Sequence, residues 1–319
     1  MRCGSRKLGI YGRGPRGPSG NMWAVSTAYD PRVAREDVLR FGAGGVRADR
    51  DDVAVEEPLE IRVDGEPLAV TMRTPGEDEE LAVGFLAGEG LIVGRDDLES
   101  VGLTDDLAAN VVEVRTRSGL RRDPSAERRF YLSSSCGVCG KAALEFIEQE
   151  APPAAPGEAL DPAVVTSLSA AARDRQAAFE RTGGIHATAL FEPSGEILAL
   201  REDVGRHNAM DKAIGRLLLD GRFPDPGVFA WVSGRASFEL VQKGSLAGLG
   251  GLVAVGPPST LAVELARDRG MLLCGFAREG RFNVYAGDER IAPGAPDAGL
   301  SAGREDRAIR SGGPGEPSG

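Results

Sequence analysis

Residues 228–277 read VFAWVSGRASFELVQKGSLAGLGGLVAVGPPSTLAVELARDRGMLLCGFA, and within them the period of the apolar residues switches back and forth. VFAWVSG, LVAVG and MLLCGFA are short, almost continuous apolar runs, as expected of strands covered on both faces. SFELVQKGSLAG and TLAVELARDRG, between them, carry apolar residues at helical spacing. Such alternation predicts a mostly parallel sheet with helices on both faces. Outward from this core the same reading gives a helix over about 206–219 and two consecutive strands, HATALF and EILALR, forming an antiparallel hairpin at 187–201. It also gives a long helix from about Asp161 to Arg181 and a last strand at RFNVYA. The predicted fold class is α/β: a three-layer α/β/α sandwich over residues 126–291, with the Pro/Ala-rich stretch 151–160 as an internal linker.

A smaller N-terminal α+β domain is predicted over residues 51–125. EPLEIRVDGEPLAVTM, residues 57–72, alternates apolar and polar residues around Asp64-Gly65, the signal for a tight β-hairpin. PGEDEELAVGFLAGEGLI follows, with acids, then helical spacing, then glycines, and predicts a helix over 77–87; NVVEVRTR predicts a further strand. The polar, turn-rich segment 118–129 marks the boundary. Residues 1–50 and 292–319 are rich in Gly and Arg or Pro, lack a hydrophobic period, and read as a disordered extension and tail.

The chain has 319 residues and a formal charge of -10, which argues against a general nucleic-acid binder. No apolar run reaches the roughly 18 residues of a membrane span, and the N-terminus has no signal-peptide core, so a cytoplasmic protein with no membrane partner is expected. Four cysteines in a chain of this length do not make a disulfide scaffold; metal binding or catalysis is the expected use. Lysine occurs only at positions 7, 141, 212 and 243 and histidine only at 186 and 207, whereas arginine is abundant. Where arginine is so favoured, a retained lysine marks a place suited to a compact ammonium.

The chemistry-bearing stretches begin with SSSCGVCGK, residues 133–141. A helix-compatible run follows Cys136 and Cys139, so both sit near a helix start where a thiolate is favoured, and Lys141 adds positive charge. Spacing alone leaves open a redox pair, half of a metal site, or a sulfur carrier. The pattern of the zinc deaminases, with a His-x-Glu before the cysteines, is absent. REDVGRHNAMDKAIG concentrates Asp203, Arg206, His207, Asn208 and Lys212 at a strand-to-helix transition, the place where open α/β sheets bind ligands. SGRASFELVQK repeats the arrangement with Ser233, Arg235 and Lys243, and with Ser237 as a candidate helix cap. GPPST at 256–260 forms a third such turn. Three in series predict a single pocket along one edge of the sheet. His186, at a glycine-rich strand entry, reads equally as a hydrogen-bonded core residue or as a catalytic one.

Taken in order, EEPLEIRVDGEPLAVTMRTPGEDEELAVGFLAGEGLI, SSSCGVCGK, GGIHATALF, REDVGRHNAMDKAIG, SGRASFELVQK, PPSTLAVELA and GFAREGRFNVY resemble the formate dehydrogenase accessory sulfurtransferase family. The resemblance covers about residues 52–291. It implies a cytidine-deaminase-like fold for the larger domain and a homodimer. It also implies a sulfur carrier that takes persulfide sulfur from a cysteine desulfurase and passes it to the molybdenum bis(molybdopterin guanine dinucleotide) cofactor for formate dehydrogenase. Cys136 matches the persulfide-forming cysteine and Cys139 its partner. Phe276, Ala277, Arg278, Glu279, Gly280 and Arg281 match the cofactor-binding segment, for which guanine nucleotides would serve as partial mimics.

Overall fold

Asp64 and Gly65 take positive φ angles of 52° and 90° between β3 (Glu57–Val63) and β4 (Glu66–Arg73). Two successive left-handed residues are what a two-residue hairpin turn requires. The computed structural model describes residues 30–104, 110–121, 153–154, 157–278 and 280–293. The described residues from Pro31 onward form one compact unit. β6 (Val111–Thr116) pairs in parallel with β3, and β5 (Leu98–Leu103) lies antiparallel to β6, giving a four-stranded sheet in the order β4-β3-β6-β5. α1 (Asp78–Gly88) opens with three acids in its first turn, where the helix dipole favours them.

The six-stranded sheet runs β12-β11-β10-β9-β7-β8, with β7 at His186–Phe191, β8 at Ile197–Asp203, β9 at Phe229–Val232, β10 at Gly251–Ala254, β11 at Leu272–Arg278 and β12 at Arg281–Ala286. Only β9–β10 and β10–β11 are parallel; the other three pairings are antiparallel. The expected mostly parallel sheet is therefore mixed. The physical reason is that β7–β8 and β11–β12 return through short turns with no helix to reverse the chain, and β7 lies between β8 and β9. Alternate residues serve the two faces, as a strand's pleat dictates. Leu190, Ala230, Val232, Leu252 and Leu273 pack towards α4 (Arg206–Leu219), α5 (Phe238–Leu246) and α6 (Thr260–Asp268). Ala189, Phe191, Phe229, Trp231, Val253 and Leu272 pack towards α2 (Pro162–Arg173). Helices thus cover both faces.

The structure differs from the sequence reading at three further places. Residues 33–54 are not structureless: β1 (Val33–Gly42) and β2 (Gly45–Ala54) form a regular antiparallel hairpin. Cross-strand pairs Arg35–Asp52, Arg40–Asp49 and Arg50–Asp37 give it charge complementarity in place of a hydrophobic period. The single helix expected over 161–181 is two, α2 and α3 (Ala177–Thr182), broken at Asp174–Gln176. The Glu202 carboxylate accepts from the Ala178 and Phe179 amides and fixes the start of α3 at an angle of its own. Finally, the four-stranded sheet has no separate core. α1 is apolar nearly all round, so it buries one side on β5 and β6 and the other on α4, and a single cluster runs from Leu59 and Ile61 to Leu273. The boundary expected near residue 125 and the tail beyond 293 lie outside the described residues.

The crossing of α1 with α4 is close enough to exclude side chains. A Cβ built on Gly84 would stand 1.7 Å from the Asp211 carbonyl oxygen, and one on Gly215 would stand 1.8 Å from that of Glu80. Glycine is required at both positions because the neighbour is backbone and has no rotamer with which to give way.

Candidate functional site

The sheet directions bring the polar turns to one edge. β8, β9, β10 and β11 all end there, β7 begins there, and His186 pairs with Asp203 across the β7–β8 ladder. Backbone bonds join the loops side by side: Val255 N–H donates to Val232 O, Gly256 N–H to Gly234 O, Ser259 N–H to Ala236 O, and Phe276 N–H to Gly256 O. The turns at 233–237, 255–259 and 275–278 therefore form a continuous rim, and Phe276 adopts a left-handed φ of 55° to follow it. Gly275 permits this approach, since a Cβ there would meet Pro258 and Tyr285 at 2.9 and 3.0 Å.

Several of the sequence-predicted site residues point inward. Asp203 and Lys212 are fully buried and paired at 2.9 Å. The Asp203 carboxylate also accepts from the amides of Thr74 and Gly205 and from Asn208 Nδ2, and Lys212 Nζ donates to the Thr74 carbonyl at 2.8 Å. Asn208 donates to the Met72 carbonyl and accepts from the Thr71 hydroxyl. These three side chains clasp the β4–α1 connection. Lys243 likewise lies between Glu89 and Asp211, 2.9 Å from each, with its ammonium over the Phe85 ring. Burial pulls the Lys243 ammonium down, but the two carboxylates outweigh it and hold it above its ordinary range. Burial pushes the Asp211 carboxyl from 3.8 up to about 6, against the pull of Lys243. Ala277 is buried on the α2 side, where its carbonyl accepts from Ser169 Oγ. Ser233 Oγ accepts from the Ala187 amide. The Thr71–Glu77 connection belongs to this region, which sequence reasoning missed. Its signal was Thr-Pro-Gly between a strand and an acidic helix start.

At the rim itself stand His186, Arg206, His207, Arg235, Ser237 and Glu239. The two histidines of the whole sequence converge here. Burial first, then Arg206 and His207, depress the His186 imidazole below its usual range and favour its neutral form. The neighbouring His207 imidazole first, then Glu239's own backbone amide and the Ser237 hydroxyl, hold the Glu239 carboxyl down at about 2. The pair stands at 3.9 Å, a charge contact too long for a hydrogen bond. Among the described residues, the buried Arg206 Nε and His207 Nε2 have no hydrogen-bond partner, and the Ser237 hydroxyl faces the Glu239 carboxylate. Ser237 occupies the position before α5 but does not cap it, whereas Ser259 caps α6 through the Ala262 amide. Arg235, Arg278, Gly280 and Arg281 are exposed at this edge. Cys136, Cys139, Lys141 and Glu279 lie outside the described residues. Among the described residues no three His, Cys, Asp or Glu side chains are grouped so as to hold a metal ion, and no helix is long and apolar enough to cross a membrane.

Comparison with known proteins places these features among relatives. Residues 54–292 match the FdhD/NarQ family. The sulfur carrier protein FdhD of Streptomyces avermitilis is 48% identical over 268 residues, covering 81% of this chain and 95% of that protein. The protein of the same name from Anaeromyxobacter dehalogenans strain 2CP-1 is 46% identical over 279 residues, covering 83% and 95%. A crystal structure of a proposed formate dehydrogenase accessory protein from Desulfotalea psychrophila superposes with a TM-score of 0.69 at 25% identity, covering 82% of this chain and all of that one.

Proposed function

From the premise that the chain belongs to the FdhD/NarQ family, we propose that it is a sulfur carrier in the maturation of formate dehydrogenase. The observation that carries the reading is that the family match, residues 54–292, spans Cys136-Gly-Val-Cys139, in a chain 46–48% identical to proteins named sulfur carriers. In this reading the Cys136 thiolate attacks the outer sulfur of a cysteine desulfurase persulfide. A new S–S bond forms at Cys136, the donor S–S bond breaks, and the donor cysteine leaves as thiolate. Two-electron balance is kept within the two sulfurs, and no external oxidant is needed. The persulfide sulfur is destined for the molybdenum bis(molybdopterin guanine dinucleotide) cofactor, which this chain meets as a substrate. A homodimer in the cytoplasm and a cytidine-deaminase-like fold of the six-stranded sheet complete the proposal. The fold reading is supported by the β-β-α-β-α-β-α-β order with helices on both faces.

The test is the mass of the protein after incubation with a cysteine desulfurase and cysteine. Wild type should gain one reducible sulfur atom on the peptide holding Cys136, and Cys136→Ala should gain none and should fail to support formate dehydrogenase activity in cells. Full activity of that variant would sink the reading. A Cys136–Cys139 disulfide in place of the added sulfur would turn the site into a thiol–disulfide oxidoreductase. No modification, with cofactor binding intact, would leave a cofactor-binding chaperone.

A further inference from the structure

We propose that the β1–β2 hairpin is a dimerisation arm whose apolar tip, Leu39, Phe41, Val46 and Ala48, packs on the same tip of a second copy of this chain. The proposal names a surface for the homodimer of the sulfur-carrier reading, and sulfur transfer itself plays no part in it.

The register puts these side chains together. Phe41 lies opposite Val46 and Leu39 opposite Ala48, two residues further along, so the pleat turns all four to one face. The same face carries the Arg35–Asp52 and Asp37–Arg50 pairs nearer the root. The root is held by the body: Arg181 of α3 bonds Asp52, and Arg32, just before β1, bonds Glu202. The tip is not held in this way. Every residue from Leu39 to Ala48 is exposed, and Phe41, Leu39 and Val46, at 78%, 63% and 57%, are the three most exposed large apolar side chains among the described residues. Single apolar side chains on a surface need no partner, but two adjacent cross-strand rows of them make a patch. A two-stranded ribbon is also marginal in water until further strands or a packed face support it. Two tips laid face to face supply that support to each other.

Charge selects the occupant. The chain carries -10, yet residues 33–54 hold four arginines against five carboxylates, so the arm is a nearly neutral part of an acidic protein. Arg40 meets Asp49 and Asp51, and Arg47 meets Asp49. Both cations of the tip are thus answered within the arm, which gives an anionic membrane or a polyanion little to attract. A two-fold contact needs a patch complementary to itself, and an apolar patch is so by nature. With the axis between the two rows, Phe41 and Val46 of one copy lie over Leu39 and Ala48 of the other, and the reverse. The axis then falls five residues from Arg35 on each side. At about 3.4 Å per residue the acidic bodies stand roughly 30 Å apart, several Debye lengths at physiological salt.

Sedimentation velocity on the full chain over a dilution series tests this. Wild type should be a dimer that dissociates on dilution through the micromolar range, as suits a small interface. Phe41→Asp acts twice in a two-fold contact and should weaken the dimer by about a hundred-fold or more, and Leu39→Lys should do the same. An equimolar mixture of the two variants should recover dimers: in the mixed pair the introduced carboxylate faces the introduced ammonium at one end, and wild-type side chains meet at the other. Val93→Asp, at an exposed apolar position outside the arm, should dimerise like wild type. Circular dichroism checks that the variants fold. Wild type that stays monomeric up to several hundred micromolar overturns the proposal, and so does a dimer that both arm variants leave intact or a mixture that stays monomeric. Removal of residues 1–29 that turns a monomeric wild type into a dimer would give the tip to that segment instead. Flotation of a monomeric wild type, but not of Phe41→Asp, with phosphatidylglycerol vesicles would give it to a membrane; either result overturns the proposal. None of these outcomes touches the sulfur-carrier reading, which stands or falls on the mass of Cys136, and a dimer that survives both arm variants would keep the homodimer while losing the arm.

Discussion

At the scale of residues, the two described lysines explain their own rarity. Lys212 and Lys243 each occupy a point between carboxylates where a planar guanidinium would not fit, and a Cβ on Gly88 would already stand 2.9 Å from Lys243 Nζ. Lys212→Met should therefore destabilise the fold by about 3–5 kcal/mol, because it leaves the fully buried Asp203 charge uncompensated. Lys212→Met with Asp203→Asn should recover part of the loss in urea unfolding; equal or additive losses would mean the two side chains are not coupled. Asp211 predicts a pH effect. Its folded carboxyl, at about 6, binds a proton more tightly than the unfolded one at 3.8, so its share of stability is fully present below 3.8 and is lost as pH rises through 6. Asp211→Asn should trail wild type most at low pH, and the gap should narrow between about pH 4 and pH 6.5; a gap independent of pH would refute the shift. The sequence marked Asp203, Asn208, Lys212 and Lys243 as a polar concentration at a strand end. It did not show that their polar atoms turn inward, because the partners Thr71, Met72, Thr74 and Glu89 lie more than a hundred residues away.

Elements were legible wherever burial was one-sided or complete, since periodicity reports burial. The helix at 206–219, the turn at Asp64-Gly65 and the strands of the larger sheet stand where the apolar pattern puts them. β1 and β2 were not legible: both faces meet solvent or charged partners, and a strand with nothing to bury has no period. The break between α2 and α3 depends on Glu202, a distant side chain that reaches the α3 amides. The crossing of α1 and α4 is the element-scale feature most open to test. Gly84→Ala or Gly215→Ala drives a methyl into a carbonyl of the opposite helix, so each should cost about 3 kcal/mol or more, at the upper end of overpacking. Chemical denaturation would show it as a lowered midpoint. Substitution at Gly94, where a Cβ meets nothing within 4 Å, should cost far less and serves as the control.

At the scale of the whole molecule, the sequence reading expected two domains, and the described residues from Pro31 onward form one unit instead. Both halves contribute to one apolar cluster, α1 is shared between them, and the Lys212 and Lys243 clasps cross the same seam. Domains with separate cores can unfold separately, whereas a shared core couples them into one transition. Trp231 reports on the face of the six-stranded sheet turned towards α2, remote in sequence from the four-stranded sheet. In a Trp23→Phe background it is the only tryptophan, so its fluorescence follows the C-terminal sheet alone. Far-ultraviolet circular dichroism follows all the helices and strands. The two signals should fall together in urea. Leu59→Ala, a fully buried deletion in the four-stranded sheet, should lower both midpoints equally, by the equivalent of about 2–5 kcal/mol. A Trp231 transition that stays at its wild-type midpoint while circular dichroism splits into two steps would restore the two-domain description. It would also make the clasps at Lys212 and Lys243 contacts between independent domains rather than parts of one core.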